Sequence, residues 1–224
     1  MTTDIAAAID AAGFIVLGRL GDTNPALSSA PVGTHMLLLI GWGGGGRWPL
    51  FQASPEYTDG AADPLDRWTK RVVDELADRL AARPLYPSDG PPWYPFQSWA
   101  VAAGAAYPSP IGLLIHPTYG LWHSYRAALV FDRDVPVEIP ATGSNPCAAC
   151  VTKPCLTACP IDAYGPNRFD VASCRAYVAS EPERQCLDGG CITRDACPVG
   201  RGWRNSDDQI RFHQHAFIRK NLAF

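Results

Sequence analysis

The sequence has no cysteine in its first 146 residues, no apolar run of membrane-spanning length and no excess of positive charge. Each absence excludes a class of function. A spanning helix needs about 18 or more nearly uninterrupted apolar residues, so no membrane segment is expected. A net charge of −3 and a pI near 5.9 lack the basic footprint of a nucleic-acid surface, so no nucleic-acid partner is expected. The N-terminus, MTTDIAAAIDAAG, has an acid where an export signal carries basic residues. It predicts a short amphipathic helix and a cytoplasmic protein, in a compartment that keeps thiols reduced.

What is present is concentrated. All eight cysteines lie between Cys147 and Cys197. In a reducing compartment they point to metal binding rather than to four disulfides. The 224 residues are 47% apolar, enough for a core domain and a smaller appendage. The division is expected near the first cysteine, with an α+β domain over residues 1–140 and a cysteine-rich domain over 141–224.

Apolar patterning outlines the first domain. A helix over Asp4–Ala12 precedes strands at Phe14–Leu17 and His35–Trp42. The glycine run Gly43–Gly46 has no Lys-Ser/Thr after it and reads as a turn, not a phosphate loop. Asp63-Pro64 opens the clearest helix, with aspartate as N-cap, proline at the first turn and a stripe of Leu65, Trp68, Val72, Leu76 and Leu80. Arg83-Pro84 ends it. Tyr86–Pro95 reads as a loop and Trp99–Ala106 as a second helix. Strands at Ile111–Ile115 and Arg126–Phe131 are joined by a turn over His116–Gly120. Asp132–Pro146 is the linker.

Cys147-x2-Cys150-x4-Cys155-x3-Cys159-Pro160 is close to the bacterial ferredoxin run C-x2-C-x2-C-x3-C-P. A cubane cluster takes four thiolates converging on a small volume. Closely spaced cysteines supply three, and the cysteine before proline serves the other cluster. The second half repeats the theme with Cys174, Cys186, Cys191 and Cys197-Pro198. The exchange assigns Cys147, Cys150, Cys155 and Cys197 to one [4Fe–4S] cluster, and Cys159, Cys174, Cys186 and Cys191 to the other. Two four-cysteine zinc sites are the alternative use of eight thiols.

The stretch IHPTYGLWHSYR over Ile115–Arg126, the segment AGAAY ending at Tyr107 and the helix opening Asp63-Pro-Leu-Asp66 resemble, in the same order, motifs of the cobalamin-processing chaperones of the cblC type. Tyr119 stands where that family has phenylalanine, and Leu121 where it has a second glycine. The cysteine-rich tail resembles epoxyqueuosine reductase and the reductive dehalogenases, in which a nitroreductase-like α+β domain that binds a corrinoid precedes a bacterial-ferredoxin-like module with two [4Fe–4S] clusters. These resemblances imply a cobalamin (corrinoid) cofactor contacted by His116, Pro117, Tyr119, Gly120, Trp122 and Arg126. They imply an iron–sulfur oxidoreductase or trafficking chaperone that removes the upper ligand of cob(III)alamin, for example by decyanation. The alternatives are an epoxyqueuosine-reductase-like reaction on another substrate, with Asp89 in Ser88-Asp-Gly-Pro91 as proton donor, and a non-catalytic electron-transfer ferredoxin. The partners implied are an electron-donating reductase or ferredoxin and a cobalamin-dependent acceptor enzyme. Trp93, Phe96 and Trp99 are expected in the core. Lys153, Arg175, Arg194, His213 and His215 are expected as solvated surface groups.

Overall fold

A computed structural model describes residues 4–139, 143–165, 168–180 and 184–219. The chain forms two compact units that interleave in sequence. The first comprises Met1–Tyr107 with His123–Thr142, and the second Pro108–Trp122 with Gly143–Phe224. The segment carrying the His116 turn thus groups with the cysteines.

The first unit mixes a sheet with packed helices. Strands β1 (Ile15–Gly21), β2 (Met36–Gly43), β3 (Arg83–Leu85) and β4 (His123–Phe131) make one antiparallel sheet in the order β1-β2-β4-β3. β2 is buried from Met36 to Trp42, so its unbroken apolar run befits a central strand covered on both faces. Helix α1 (Ile5–Ala11) is capped by Asp4, whose carboxylate accepts from the Ala7 N–H at 3.1 Å. Short helices α2 (Trp48–Gln52) and α3 (Pro55–Thr58) lead to the long α4 (Pro64–Leu80). Trp68 of α4 meets Phe14, Trp42 and Phe51, with ring centroids 5.4–5.9 Å apart. This aromatic cluster seats the helix on the sheet.

Several sequence expectations shift. In α4 it is Val73, with Thr69 and Ala77, that is buried, and Val72 lies at the margin. Asp63 precedes the helix in a left-handed backbone (φ +48°) and makes no side-chain cap hydrogen bond; its carbonyl accepts from the Arg67 N–H. The second helix, α5, runs Phe96–Ala102, starting and ending earlier than its apolar stretch. Of Ile111–Ile115 only Leu114–Ile115 is extended. Phe96 and Trp99 are core, whereas Trp93 is 64% exposed.

β2 and β4 fall out of register once: Ile40 faces Ala127 and Gly41 faces Tyr125, which leaves Arg126 as the extra residue of a bulge. A Cβ on Gly41 would stand 1.9 Å from the Ser124 carbonyl oxygen, so the close approach at this bulge requires glycine.

Glu56 of α3 is buried and accepts two bonds from Arg71 of α4, at 2.6 and 3.0 Å. The guanidinium holds the Glu56 carboxyl at about 2, below its ordinary 4.5. A depressed folded-state pKa gives stability that is complete above 4.5 and fades as pH falls from 4.5 toward 2. Acid titration of thermal stability should therefore lose this contribution in wild type and show no such loss in Glu56→Gln, which should already be weaker at neutral pH by roughly 1–3 kcal/mol.

In the second unit, the hairpin of β5 (Tyr164–Gly165) and β6 (Arg168–Phe169) is closed by the Tyr164 and Phe169 rings, stacked 4.6 Å apart. The unit holds helices α6 (Pro146–Ala149), α7 (Val171–Ser180), α8 (Ile192–Asp195) and α9 (Asp207–Arg219); α7, α8 and α9 contribute to a small core of Val178, Cys186 and Leu187, with Cys174, Tyr177, Ile192 and Ile218 packed on it. Among the described residues, no helix is long and apolar enough to cross a membrane.

Candidate functional site

The cysteines come from separate short elements of the second unit. Cys147 lies in the first turn of α6, and its backbone N–H donates to Asn145 Oδ1 at 3.0 Å. Cys155 lies in a 3-10 turn (Pro154–Leu156), Cys174 in α7 and Cys186 in a wide turn (Gln185–Gly189). Cys191 is the N-cap of α8. All eight thiols are free.

Electrostatics sorts them into two groups. Burial raises the Cys147 thiol, and so do Cys197, Cys155 and Cys150. Cys155 is likewise raised by burial, then by Cys197 and Cys150. Cys174 is pushed up to about 12 by burial, then by Cys191, Cys159 and Cys186. Each group is thus four thiols near enough to repel one another as thiolates, and a cationic inorganic centre would relieve that repulsion.

Among the described residues, no three His, Cys, Asp or Glu side chains are grouped as a single metal ion would need them. A tetrahedral ion with bonds of ~2.3 Å draws its sulfurs to within roughly 4 Å of one another. A bulkier iron–sulfide cube spans more widely set thiols. Four thiols per group fit the donor chemistry of such a cube. Backbone and side-chain donors reach two sulfurs of the second group: the Ala163 N–H donates to Cys159 Sγ at 3.3 Å, and the Tyr164 hydroxyl lies 3.7 Å from Cys191 Sγ.

The His116 turn is built as its sequence suggests, with the His116 and Gly120 backbones exchanging bonds of 2.9 and 2.8 Å. His116 is buried, and desolvation takes its pKa down to about 4, so the ring is neutral at pH 7. Nδ1 accepts from the Thr118 and Tyr119 N–H groups, which leaves the ring proton on Nε2. Tyr119 lies against His116 and meets Trp203 edge-on at 5.0 Å. Pro117 packs near Gly143.

Gly120 and Trp122 are used by the unit's own packing. A Cβ on Gly120 (φ +57°) would lie 2.0 Å from the Val199 carbonyl oxygen. The Trp122 ring is covered by Arg194, 4.1 Å from the ring centroid, and by Arg204 at 5.8 Å. Arg194 also donates through Nε and Nη2 to the Leu121 carbonyl, at 3.0 and 2.6 Å. It is a fixed, largely desolvated cation, not the solvated charge its sequence context suggested, and desolvation lowers its pKa to about 10. Arg175 is also engaged, donating to the Ile218 carbonyl.

Arg126 belongs to the first unit. Its guanidinium lies over the Trp42 ring at 5.0 Å, and its buried Nε has no hydrogen-bond partner among the described residues. Desolvation lowers its pKa to about 10, against the pull of Asp66. A buried cation with an orphaned N–H suits a polar ligand group. Asp89 accepts from Lys70 Nζ at 2.7 Å in a half-exposed ion pair. His213 and His215 lie on α9, partly buried.

Sequence reasoning missed Tyr164 and Trp203. Nothing in their spacing marks them, although an aromatic residue inside a cysteine-rich module has few solvent-free places to go other than the clusters' surroundings.

No known protein family and no curated protein matches the chain. Among solved structures it is similar in fold to epoxyqueuosine reductase from Streptococcus thermophilus, at 15% identity and a TM-score of 0.50. Epoxyqueuosine reductase with an epoxyqueuosine-modified tRNA stem loop aligns at 16% and 0.49, and the Bacillus subtilis enzyme with its catalytic loop swung out at 17% and 0.47. In each case the alignment covers 90% of this chain and 66% of the other, so the chain spans just under two thirds of these relatives' length.

Proposed function

We propose that this chain is an iron–sulfur, corrinoid-assisted oxidoreductase that reduces a small electrophilic substrate, in the manner the name epoxyqueuosine reductase describes. Eight free thiols in two mutually repelling groups of four, in a chain of that enzyme's fold, carry the reading. The fold likeness favours substrate reduction over the upper-ligand removal from cobalamin that the chaperone motifs imply.

For an epoxide, the balance is two electrons and two protons in, one C–O bond opened and the other broken, and an alkene and water out. The electrons come from a low-potential one-electron donor of the ferredoxin or flavodoxin class. Cys147, Cys150, Cys155 and Cys197 would hold one [4Fe–4S] cluster and Cys159, Cys174, Cys186 and Cys191 the other, relaying electrons singly. A bound corrinoid supplies the nucleophilic cobalt chemistry that protein side chains lack. In the second unit, His116, Pro117 and Tyr119 are its proposed contacts, with Gly120 and Trp122 fixing the turn that presents them. In the first unit, the orphaned Nε–H of Arg126 suits a polar ligand group. Asp89, held by Lys70, is the proposed proton donor: it would give a proton to the departing oxygen and regain one from solvent.

The test is anaerobic reconstitution followed by addition of cob(II)alamin and an epoxide. A shifted corrin spectrum and dithionite-dependent alkene formation are expected; an unchanged spectrum refutes the corrinoid assignment. Asp89→Asn should lower kcat by about 10²-fold or more while leaving the corrin spectrum alone. Full activity in that variant removes Asp89 from the reaction.

A further inference from the structure

The two groups of thiols are not equivalently surrounded. In the second group the Ala163 N–H reaches Cys159 Sγ at 3.3 Å, and the Tyr164 hydroxyl stands 3.7 Å from Cys191 Sγ. Toward a metal-bound thiolate the hydroxyl can only be the donor. The Tyr164 ring is held by its stack on Phe169, so the hydroxyl is aimed rather than free to swing. Two residues after Cys191 in α8 comes Thr193, and then Arg194, locked by the Leu121 carbonyl and the Trp122 ring. Arg194 and Cys191 sense each other electrostatically.

The first group is reached by backbone and by exposed or half-exposed cations, not by a stacked hydroxyl or a desolvated guanidinium. At Cys155 the residue's own backbone N–H favours the thiolate, and Arg201, itself exposed, donates through Nε to the Cys197 carbonyl at 3.4 Å rather than to a sulfur. Lys153 also acts on this group, from a half-exposed turn where water screens it. Two acids temper the second group: Asp170, whose carboxylate is engaged by the Ser173 N–H and hydroxyl, and Asp195, which is paired with Arg204.

Hydrogen bonds to cluster sulfurs and fixed nearby cations both stabilise the reduced, more negative state, and so raise a cluster's potential. We propose that the two clusters are unequal, and that Tyr164 and Arg194 make the Cys159/Cys174/Cys186/Cys191 cluster the higher-potential one. Electrons then enter through the Cys147/Cys150/Cys155/Cys197 cluster and come to rest on the other. Each transfer moves one electron and makes or breaks no bond. Tyr164 and Arg194 are positioning residues acting through the cluster.

This inference rests on the two-cluster reading. Its test is a potentiometric titration of the reconstituted chain with dithionite, followed by electron paramagnetic resonance. Two separated one-electron waves are expected. Tyr164→Phe, which keeps the ring stack, should lower the reduction equilibrium of the upper wave alone by roughly tenfold, about 59 mV for a one-electron couple. Arg194→Gln should lower the same wave, and Arg194→Lys should restore part of the shift. In Cys150→Ala, which removes a ligand of the first group, the surviving wave should be the upper one. Coincident waves in wild type, or an upper wave that Tyr164→Phe leaves in place, overturns the inference while the clusters stand. A chain that takes up no iron and sulfide fails the two-cluster reading itself.

Discussion

Cys174→Ala is expected to remove one cluster whole, so that reconstituted protein holds about four iron atoms where wild type holds about eight. Cys174 stands in α7, its thiol raised to about 12 by burial and then by the three other thiols of its group. Three thiolates do not close a four-iron cube without an outside ligand, and structural metal sites contribute on the order of 10 kcal/mol, which makes the loss all-or-none. The same side chain packs on the Val178, Cys186 and Leu187 core. The variant should therefore unfold at lower temperature than wild type, and by more than Cys150→Ala, which loses a cluster but no contact with this core. Iron and acid-labile sulfide assays, with a thermal melt, check both halves. An unchanged iron content in Cys174→Ala would remove it from the ligand set.

Gly120→Ala should destabilise the second unit by about 3 kcal/mol or more. Two costs add. The backbone at φ +57° disfavours any Cβ by roughly 1–2 kcal/mol. The new Cβ would also sit 2.0 Å from the Val199 carbonyl oxygen, which is backbone and cannot rotate away. Gly200→Ala meets the reciprocal clash, 2.4 Å from the Tyr119 carbonyl. Val199 and Gly200 follow Cys197-Pro198, so relief of either clash displaces a ligand of the first group. The expected result is a lower melting temperature together with selective loss of that cluster's iron. Gly112→Ala separates the two costs: its φ is +76°, but nothing lies within 4 Å of its Cβ position, so it should lose only the smaller, conformational part. Equal losses in Gly112→Ala and Gly120→Ala would show that the packing of the His116 turn is not as described.

The elements legible in the sequence are those whose pattern repeats over many residues. The unbroken run of β2 and the stripe of α4 each have one economical burial. The Val72 and Val73 exchange shows the limit: both fall near the third turn of the stripe, and which one is covered depends on the sheet beneath. Asp63 reads as a cap because its type and position fit, yet its backbone is left-handed and its side chain makes no cap hydrogen bond. Arg126 could be recognised as an anomalous charge in a strand. The bulge that seats it over Trp42 depends on Gly41, eighty-five residues earlier, and no period-two pattern records it. In the same way, His116–Gly120 announces a turn. What fills the space beside Gly120, and why Arg194 is desolvated, are contacts across about eighty residues of sequence. The fold likeness extends to epoxyqueuosine reductase; the chaperone and ferredoxin resemblances rest on the sequence motifs alone.

Low-temperature electron paramagnetic resonance of the wild-type chain, reconstituted anaerobically with iron and sulfide and then reduced by dithionite, reports most directly on what the eight thiols bind. The account predicts the broadened signal of two magnetically interacting, reduced cubane clusters in one molecule. A silent spectrum from protein that instead retains two zinc ions, or whose thiols have closed into disulfides, would contradict it.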